Sequence, residues 1–150
     1  MRRPLFVAGA VLTLFARAAS GQSAMGAITY FDSAHVAAAF AKGMPLIETG
    51  AYKIHASRRE GPGKAEIHVK DTDIIYVLAG GATFVTGGTA VDQQTIATDE
   101  IRGARIDGGE TRTLKPGDVI IVPNGTPHWF KEVRAPFLYY TVKVTQPGGM

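Results

Sequence analysis

Short runs in which apolar and polar residues alternate recur along most of the chain, and glycine or proline separates them. A period of two is typical of strands that bury one face. The stretch 46–57 alternates in this way, 74–78 is continuously apolar, and 137–144 is the last such run. Gly80-Gly81 are expected to turn the chain into a hairpin that returns over 82–86. The pattern predicts an all-β fold.

One helical segment is predicted near the beginning of the chain. Asp32 can cap a helix over 34–42, and Gly43 with Pro45 can end it. The apolar positions of this segment form a single stripe, so the helix is expected to pack on the outside of the β body. It would belong to an N-terminal extension that covers residues 22–45.

The first 21 residues have the pattern of an export signal. Two arginines precede the apolar run 5–16, and small residues follow it. The run is shorter than the ~20 residues that a membrane-spanning helix needs, and Arg17 interrupts it. We therefore expect a signal peptide over 1–21, cleaved after Ala18 or Gly21. The mature protein would be periplasmic or secreted and would keep no stable membrane anchor.

The remaining residues are expected to form one domain. A β-barrel is predicted over 46–145, followed by a disordered tail at 146–150 that is rich in glycine and proline. The long connection 89–116 is predicted to contain a loop or short helix at 98–103. Such an insertion is expected to lie over the mouth of the barrel or to extend a dimer surface.

Composition and charge exclude several classes of function. The chain has 150 residues and no cysteine, so a bound metal must have nitrogen and oxygen ligands. Three of its 16 basic residues and none of its 13 acidic residues lie in the first 21 positions. The mature chain is thus electrically balanced, and no basic stripe with interleaved aromatic residues is present. No nucleic-acid partner is expected.

A histidine follows a stiff turn late in the chain. The spacing is Gly117, five residues, Pro123, one residue, Gly125, two residues and His128. It describes a turn, a short apolar strand, a second turn and a histidine at the start of the next strand. Proline fixes φ and Gly125 can adopt a positive φ, so the imidazole is held in one direction.

A second segment, 66–80, supplies further candidate ligands. Glu66 and His68 alternate onto one face of a strand, and Asp73 begins the next strand. Metal sites form where side chains from strands distant in sequence converge in a rigid frame. Glu66, His68, Asp73 and His128 all carry side chains of types that bind metal ions.

Together, these two segments resemble the paired motifs of the cupin superfamily. The second motif matches through His128, with Glu132 where the family has asparagine. The first keeps its spacing from position 66 onward, but Glu66 replaces the first histidine and Asp73 replaces the glutamate. The resemblance covers about residues 50–145. It implies a double-stranded β-helix, that is, a jelly-roll barrel with a metal site inside, and it makes Glu66, His68, Asp73 and His128 the candidate metal ligands.

Three coordination schemes remain open for this site. All four side chains could bind the ion, or Glu66, His68 and His128 alone could bind it, with open positions for substrate or dioxygen. Alternatively, Glu66 could be a general base beside the ion. Ligation by Glu66 is favoured because its strand position matches that of the missing imidazole. Carboxylate and imidazole ligands favour manganese or iron(II), with zinc as a further option.

Several aromatic residues are candidates to line the barrel, namely Tyr76, Phe84, Phe130 and either Tyr139 or Tyr140. Tyr76 is also a catalytic candidate, together with Glu66, because a buried hydroxyl would need a partner. His55 is expected to be solvated. Arg58 or Arg59 could meet an anionic substrate, although a solvated charge cluster is the favoured interpretation.

The resemblance implies an exported metalloenzyme that acts on a small organic substrate. Oxygenase, isomerase or epimerase, and lyase reactions all fall within its range. The alternative is a non-catalytic module that binds or senses a small molecule or a metal. Cupins of this size commonly pair, so a homodimer is expected, with an exposed Trp129 as a candidate contact.

Overall fold

The structure is a computed structural model that describes residues 26–147. The predicted signal peptide, 1–21, and residues 148–150 of the predicted tail lie outside the described residues. Within them, no helix is long and apolar enough to cross a membrane. The elements are α1 Ser33–Lys42, β1 Met44–Glu48, β2 Tyr52–Arg59, β3 Ala65–His68, β4 Asp71–Thr86, β5 Thr89–Val91, β6 Gln94–Ala97, β7 Glu100–Gly103, β8 Arg105–Asp107, β9 Glu110–Leu114, β10 Val119–Val122 and β11 His128–Thr145.

Two long strands, β4 and β11, organise a curled sheet. They pair antiparallel along most of their length, and β4 also pairs with β10 in its first half and with β9 in its second. β11 pairs with β3 near its start and with β2 along its second half. The other strands extend this sheet on either side, while β5 and β8 form a separate two-stranded ribbon. The predicted all-β barrel with one short N-terminal helix is confirmed.

Gly80-Gly81 do not form the predicted hairpin turn. β4 runs through them to Thr86, and Gly80 has a φ of 75°. A Cβ atom at Gly80 would lie 2.4 Å from the carbonyl oxygen of Pro136. β11 likewise continues through Pro136. The glycine permits two long strands to bend and cross closely, so both strands can serve two walls of the barrel.

Two further segments differ from their predicted form. The single extended stretch expected over 46–57 is an antiparallel pair, β1 and β2, around a turn in which Thr49 Oγ1 accepts hydrogen bonds from the N–H groups of Ala51 and Tyr52. The loop or short helix expected at 98–103 contains β7. This strand pairs with β3 and brings Glu100 and Arg102 beside the strand that carries Glu66 and His68.

The helix forms where its capping residues predict it. Asp32 accepts a hydrogen bond from the His35 N–H at 2.7 Å, and Gly43 ends the helix with a φ of 67°. Ala39 is buried, and the ring of Phe40 meets the ring of Tyr140 edge-on at 4.9 Å. Because Tyr140 lies on the outer face of β11, α1 covers the outside of the barrel.

The apolar core fills the barrel beneath a polar chamber. Its largest fully buried side chains are those of Phe84, Phe137, Ile75 and Val77. Phe130 and Tyr139 pack in the same cluster, and both also line the polar chamber together with Ile75. The core is therefore the floor of the chamber, and residues of β2, β3, β4, β7 and β11 form its walls.

Candidate metal centre

His128 is held in one direction by the turn that precedes it. Gly125 has a φ of 76°, and its N–H donates to the carbonyl of His68 at 2.8 Å. The side chain of His128 is 3% exposed, and its Nδ1 donates to the carbonyl oxygen of Thr126 at 3.1 Å. Since a carbonyl can only accept, this bond places the proton on Nδ1 and leaves Nε2 free to bind an ion.

Three predicted ligands converge at the junction of β3 and β11. Glu66 and His128 are direct cross-strand partners, and His68 is two residues further along β3. Glu66 Oε2 lies 3.9 Å from His128 Nε2 and 4.0 Å from His68 Nε2. Two donors that bind one first-row ion at about 2.0–2.2 Å lie at most about 4.4 Å apart. The donor atoms of Glu66, His68 and His128, called the donor triad below, all lie within 4.8 Å of one another, close to the spacing that one divalent ion requires.

Asp73 lies beside the donor triad but is engaged elsewhere. Its Oδ2 atom is 3.5 Å from His68 Nε2 and 4.0 Å from His128 Nε2. Both of its oxygens, however, accept hydrogen bonds from Lys143 Nζ, at 2.8 and 2.9 Å. The lysine neutralises the charge of Asp73 and takes up one lone pair on each of its oxygens, so Asp73 attracts an ion less than an unpaired carboxylate would. Lys143 was not among the predicted site residues.

Tyr76 is not brought to the site. Asp73, Ile75 and Val77 point into the barrel, so Tyr76 points outward and is 44% exposed. Its cross-strand partner is Val119 on β10. Of the other predicted lining aromatics, Phe84, Phe130 and Tyr139 are buried inside, whereas Tyr140 packs beneath α1.

A cavity of about 260 Å³ opens in front of the donor triad. Its walls include residues that the sequence analysis placed in solvent or passed over. His55, Ser57 and Arg59 of β2 face inward, and so do Tyr139, Thr141 and Lys143 of β11. The sequence predicts the alternation along β2, but it places the polar side of this strand in solvent. His55 instead lines the cavity, where its Nε2 lies 2.8 Å from Glu48 Oε1.

Burial sets the protonation of the cavity groups. It lowers the pKa of His68 and of His128, and at His68 the positive charge of Lys143 lowers the pKa further. Both imidazoles are therefore neutral at neutral pH, the form that binds a metal ion. Burial raises the pKa of the Tyr139 hydroxyl, so this group keeps its proton.

The lowered histidine pKa values predict a pH-dependent stability of the metal-free protein. In the unfolded chain both histidines take up protons below a pH of about 6.5, whereas in the folded protein they resist protonation until the pH is lower. The unfolded state then binds more protons, so the free energy of unfolding should fall as the pH drops from about 6.5. Urea unfolding followed by circular dichroism at pH 7.5 and 5.5 measures this.

A His68→Gln, His128→Gln double variant is the control for this pH effect. It should show a much smaller loss of unfolding free energy over the same interval, because the titrating groups are gone. Equal stability of the wild-type protein at the two pH values would contradict the assignment of these histidines as buried and neutral.

Sequence comparison places this architecture in a family. A family model described as Cupin matches residues 13–150 of the chain. The chain belongs to the cupin family. Among curated protein sequences, none matches this cupin.

Solved structures with a similar fold include several enzymes. The DMSP lyase DddQ from Ruegeria pomeroyi is 19% identical, with a TM-score of 0.49, over 71% of this cupin and 47% of that chain. KdgF from a Halomonas species is 18% identical, with a TM-score of 0.45, over 69% and 78%. The hydroquinone 1,2-dioxygenase PnpCD, in complex with Cd²⁺, is 14% identical, with a TM-score of 0.49, over 71% and 64%. At these identities the similarity describes the fold alone.

Proposed function

We propose that this cupin is a metal-dependent enzyme of the isomerase or lyase type, acting on a small polar organic molecule. The observation that carries the proposal is the donor triad, whose three atoms converge at the wall of an accessible, polar cavity. Two imidazoles and one carboxylate leave further coordination positions open to a substrate. A divalent ion held there would polarise a substrate oxygen and acidify the adjacent C–H bond.

The cavity residues of the chain support proton-transfer chemistry. Tyr139 keeps its proton, and Lys143 Nζ donates a hydrogen bond to Asp73 next to the donor triad. Either group can donate a proton to a substrate atom that gains one. The ionic and hydroxyl-bearing walls favour a polar substrate over an apolar one, which sets this chemistry ahead of oxygenation of a hydrocarbon.

Manganese or iron(II) is the proposed ion, and zinc is the next candidate. The triad offers only nitrogen and oxygen donors, and the sequence contains no cysteine. We also propose that the protein acts in the periplasm or outside the cell. The arginines and apolar run of the first 21 residues support export.

The proposed function can be tested on protein purified without an affinity tag. Aliquots loaded with Mn²⁺, Fe²⁺ or Zn²⁺ would be analysed for bound metal by mass spectrometry. They would then be incubated with a library of small polar metabolites in deuterated water, with mass spectrometry of the products and an oxygen electrode. We expect one ion per chain and metal-dependent deuterium exchange, isomerisation or elimination without oxygen uptake.

The other outcomes of this test are equally defined. Oxygen consumption coupled to product would move the reaction to the oxygenase class. Stoichiometric binding of ions and small molecules with no turnover would support the alternative function, a binding or sensing module. Absence of bound metal under metal-replete conditions would overturn the proposal.

A homodimer is proposed as well, through the outer face of β10 and β4. Tyr76 is 44% exposed there, and Val119 and Ile121 are each 61% exposed. A contiguous apolar patch of this kind is typical of a protein interface, and the paired use of one patch gives a two-fold dimer. Trp129, the earlier candidate contact, is half-buried, and its indole N–H donates to the Gly63 carbonyl at 2.8 Å.

Replacing Ile121 with Glu is expected to convert the dimer to a monomer, because the charge would be buried without a partner at the interface. Light scattering coupled to size exclusion should show half the wild-type mass. Ile96→Glu on β6 is the matched control, since Ile96 is 51% exposed on a different strand. A wild-type protein that is monomeric at high concentration would contradict the proposal.

A further inference from the structure

Arg59 occupies a fixed position in the cavity wall. It is the last residue of β2, and its side chain is 22% exposed. The guanidinium carbon lies 4.5 Å from the centroid of the Phe130 ring, and Nε donates to the Tyr139 hydroxyl at 2.8 Å. The aromatic face and the hydroxyl hold the group in one orientation before any ligand arrives.

The loop between β2 and β3 packs against the same guanidinium at Gly63. A Cβ atom at Gly63 would lie 2.6 Å from Arg59 Nη1, so the absence of a side chain at this position leaves room for the arginine. Gly63 is itself tied down, because its N–H donates to the Phe130 carbonyl at 3.0 Å and its carbonyl accepts from Trp129. Phe130, Tyr139 and Gly63 therefore fix the position of the Arg59 guanidinium, and the part of it that they leave uncovered faces the cavity.

Arg59 differs from the other cations of the cavity in its partners. Lys143 is paired with Asp73, and Arg102 donates to Glu100 at 2.7 Å. The carboxylate nearest to Arg59 is Glu66, whose Oε1 lies 3.9 Å from Nη2, which is too long for a hydrogen bond. Among residues 26–147, Nε is the one Arg59 side-chain nitrogen that donates a hydrogen bond.

The charge balance of the cavity points the same way. Its lining holds three cations, Arg59, Arg102 and Lys143, and three carboxylates, Glu66, Asp73 and Glu100. The formal charges of these six side chains cancel. Divalent metal at the donor triad would add two positive charges, and Glu66 would be committed to the metal. The loaded cavity thus has an excess of positive charge, and Arg59 is the cation whose donors remain available.

We propose that Arg59 binds the carboxylate of the substrate, which makes the substrate class a small organic acid. A planar guanidinium presents parallel N–H donors that match a carboxylate, and such bonds are stronger than neutral ones. Because Nη2 lies 3.9 Å from Glu66, a bound carboxylate would place the adjacent carbon or its hydroxyl or keto oxygen next to the donor triad. The part of this assignment that concerns reaction rests on the proposed function, whereas carboxylate binding itself does not.

We call this binding of a carboxylate by Arg59 the anchor. Calorimetry on the full-length protein, both metal-free and loaded with Mn²⁺, tests it. The probes are lactate, pyruvate, malonate and succinate, with lactamide as a neutral analogue of lactate and inorganic phosphate as a tetrahedral anion. We expect binding of at least one carboxylate, no measurable binding of lactamide, and weaker binding of phosphate. Arg59→Met should weaken carboxylate binding by about 10- to 100-fold, the range for a lost charge-assisted pair.

Two other variants make the test specific. Arg58→Met is the matched control, because the neighbouring Arg58 points away and pairs with Glu60; it should bind carboxylates as the wild type does. Arg59→Lys keeps the positive charge but lacks the parallel N–H donors of the guanidinium. It should recover part of the affinity, provided that circular dichroism shows a folded protein. Equal binding by the Arg59→Met and Arg58→Met variants would overturn the anchor, and so would tighter binding of lactamide or phosphate than of every carboxylate.

This design separates the anchor from the proposed function. Arg59-dependent binding of a carboxylate to protein that holds metal but shows no turnover supports the anchor and counts against the enzyme. Turnover of a neutral substrate, with no carboxylate bound in either form of the protein, supports the enzyme and overturns the anchor.

Discussion

Replacing Glu66 with Gln is expected to reduce the affinity for a divalent ion by about 100-fold or more, whereas Asp73→Asn should change it by less than about 10-fold. Both substitutions remove one carboxylate charge and nearly preserve side-chain size. Each carboxylate has an oxygen within 4.0 Å of both imidazole nitrogens, so they differ in their partners and not in their distance from the histidines. Both oxygens of Asp73 accept hydrogen bonds from Lys143. Competition against a fluorescent chelator, with metal analysis after dialysis, measures both affinities.

Glu100→Gln supplies the matched control for these two substitutions. Glu100 is a third carboxylate of the same cavity, and it is paired with Arg102 at 2.7 Å instead of facing the histidines. Its loss should leave metal content at the wild-type level. If Asp73→Asn lost metal as completely as Glu66→Gln, both acids would be ligands and the four-ligand scheme would be correct.

The sequence was sufficient to place side chains that are close in the chain or fixed by turn chemistry. Glu66 and His68 share a strand face because they are two residues apart, and Gly125 adopts the positive φ that the turn before His128 requires. The same period of two also excludes Tyr76. Its three-residue step from Asp73 is odd, so the two residues point to opposite faces of β4.

Strand register was the information that the sequence could not supply. Lys143 meets Asp73 because β11 and β4 pair with these two residues directly opposite, 70 positions apart in the chain. Alternation along β11 shows that Tyr139, Thr141 and Lys143 share a face, but it does not show which partner strand lies beside them. Distant pairing of this kind decides which ligand is free and which is neutralised.

Alternation also leaves open which face of a strand is inside. On β2 the polar residues His55, Ser57 and Arg59 line the cavity, while Ala56 is fully buried on the opposite face. The rule that polar residues face water predicts the reverse. It fails here because the chamber itself is polar and the helix α1 and its neighbours bury the outer apolar side. The exceptions to the hydrophobic pattern are therefore the residues of the candidate site.

Replacing Lys143 with Met is expected to raise the affinity for a divalent ion by about 10- to 100-fold. The lysine ammonium now lies 2.8 and 2.9 Å from the two oxygens of Asp73, next to the donor triad, where it repels a second cation. Its removal would free Asp73 as a fourth ligand. The metal-free variant should be less stable than the wild type by about 3–5 kcal/mol, because a buried carboxylate loses its partner. Thermal unfolding with and without Mn²⁺ should therefore show a larger shift in the variant.

The Lys53–Asp71 pair provides the control for this expectation. Lys53 Nζ lies 2.6 Å from Asp71 Oδ2, one inward position earlier on β4, and Asp71 also accepts from Thr145. Lys53→Met should lower stability without raising metal affinity, since Asp71 lies outside the donor triad. Adding Asp73→Asn to Lys143→Met should remove the extra affinity, because no carboxylate remains to be released. A Lys143→Met variant that binds metal no better than the wild type would show that Lys143 does not restrain the site.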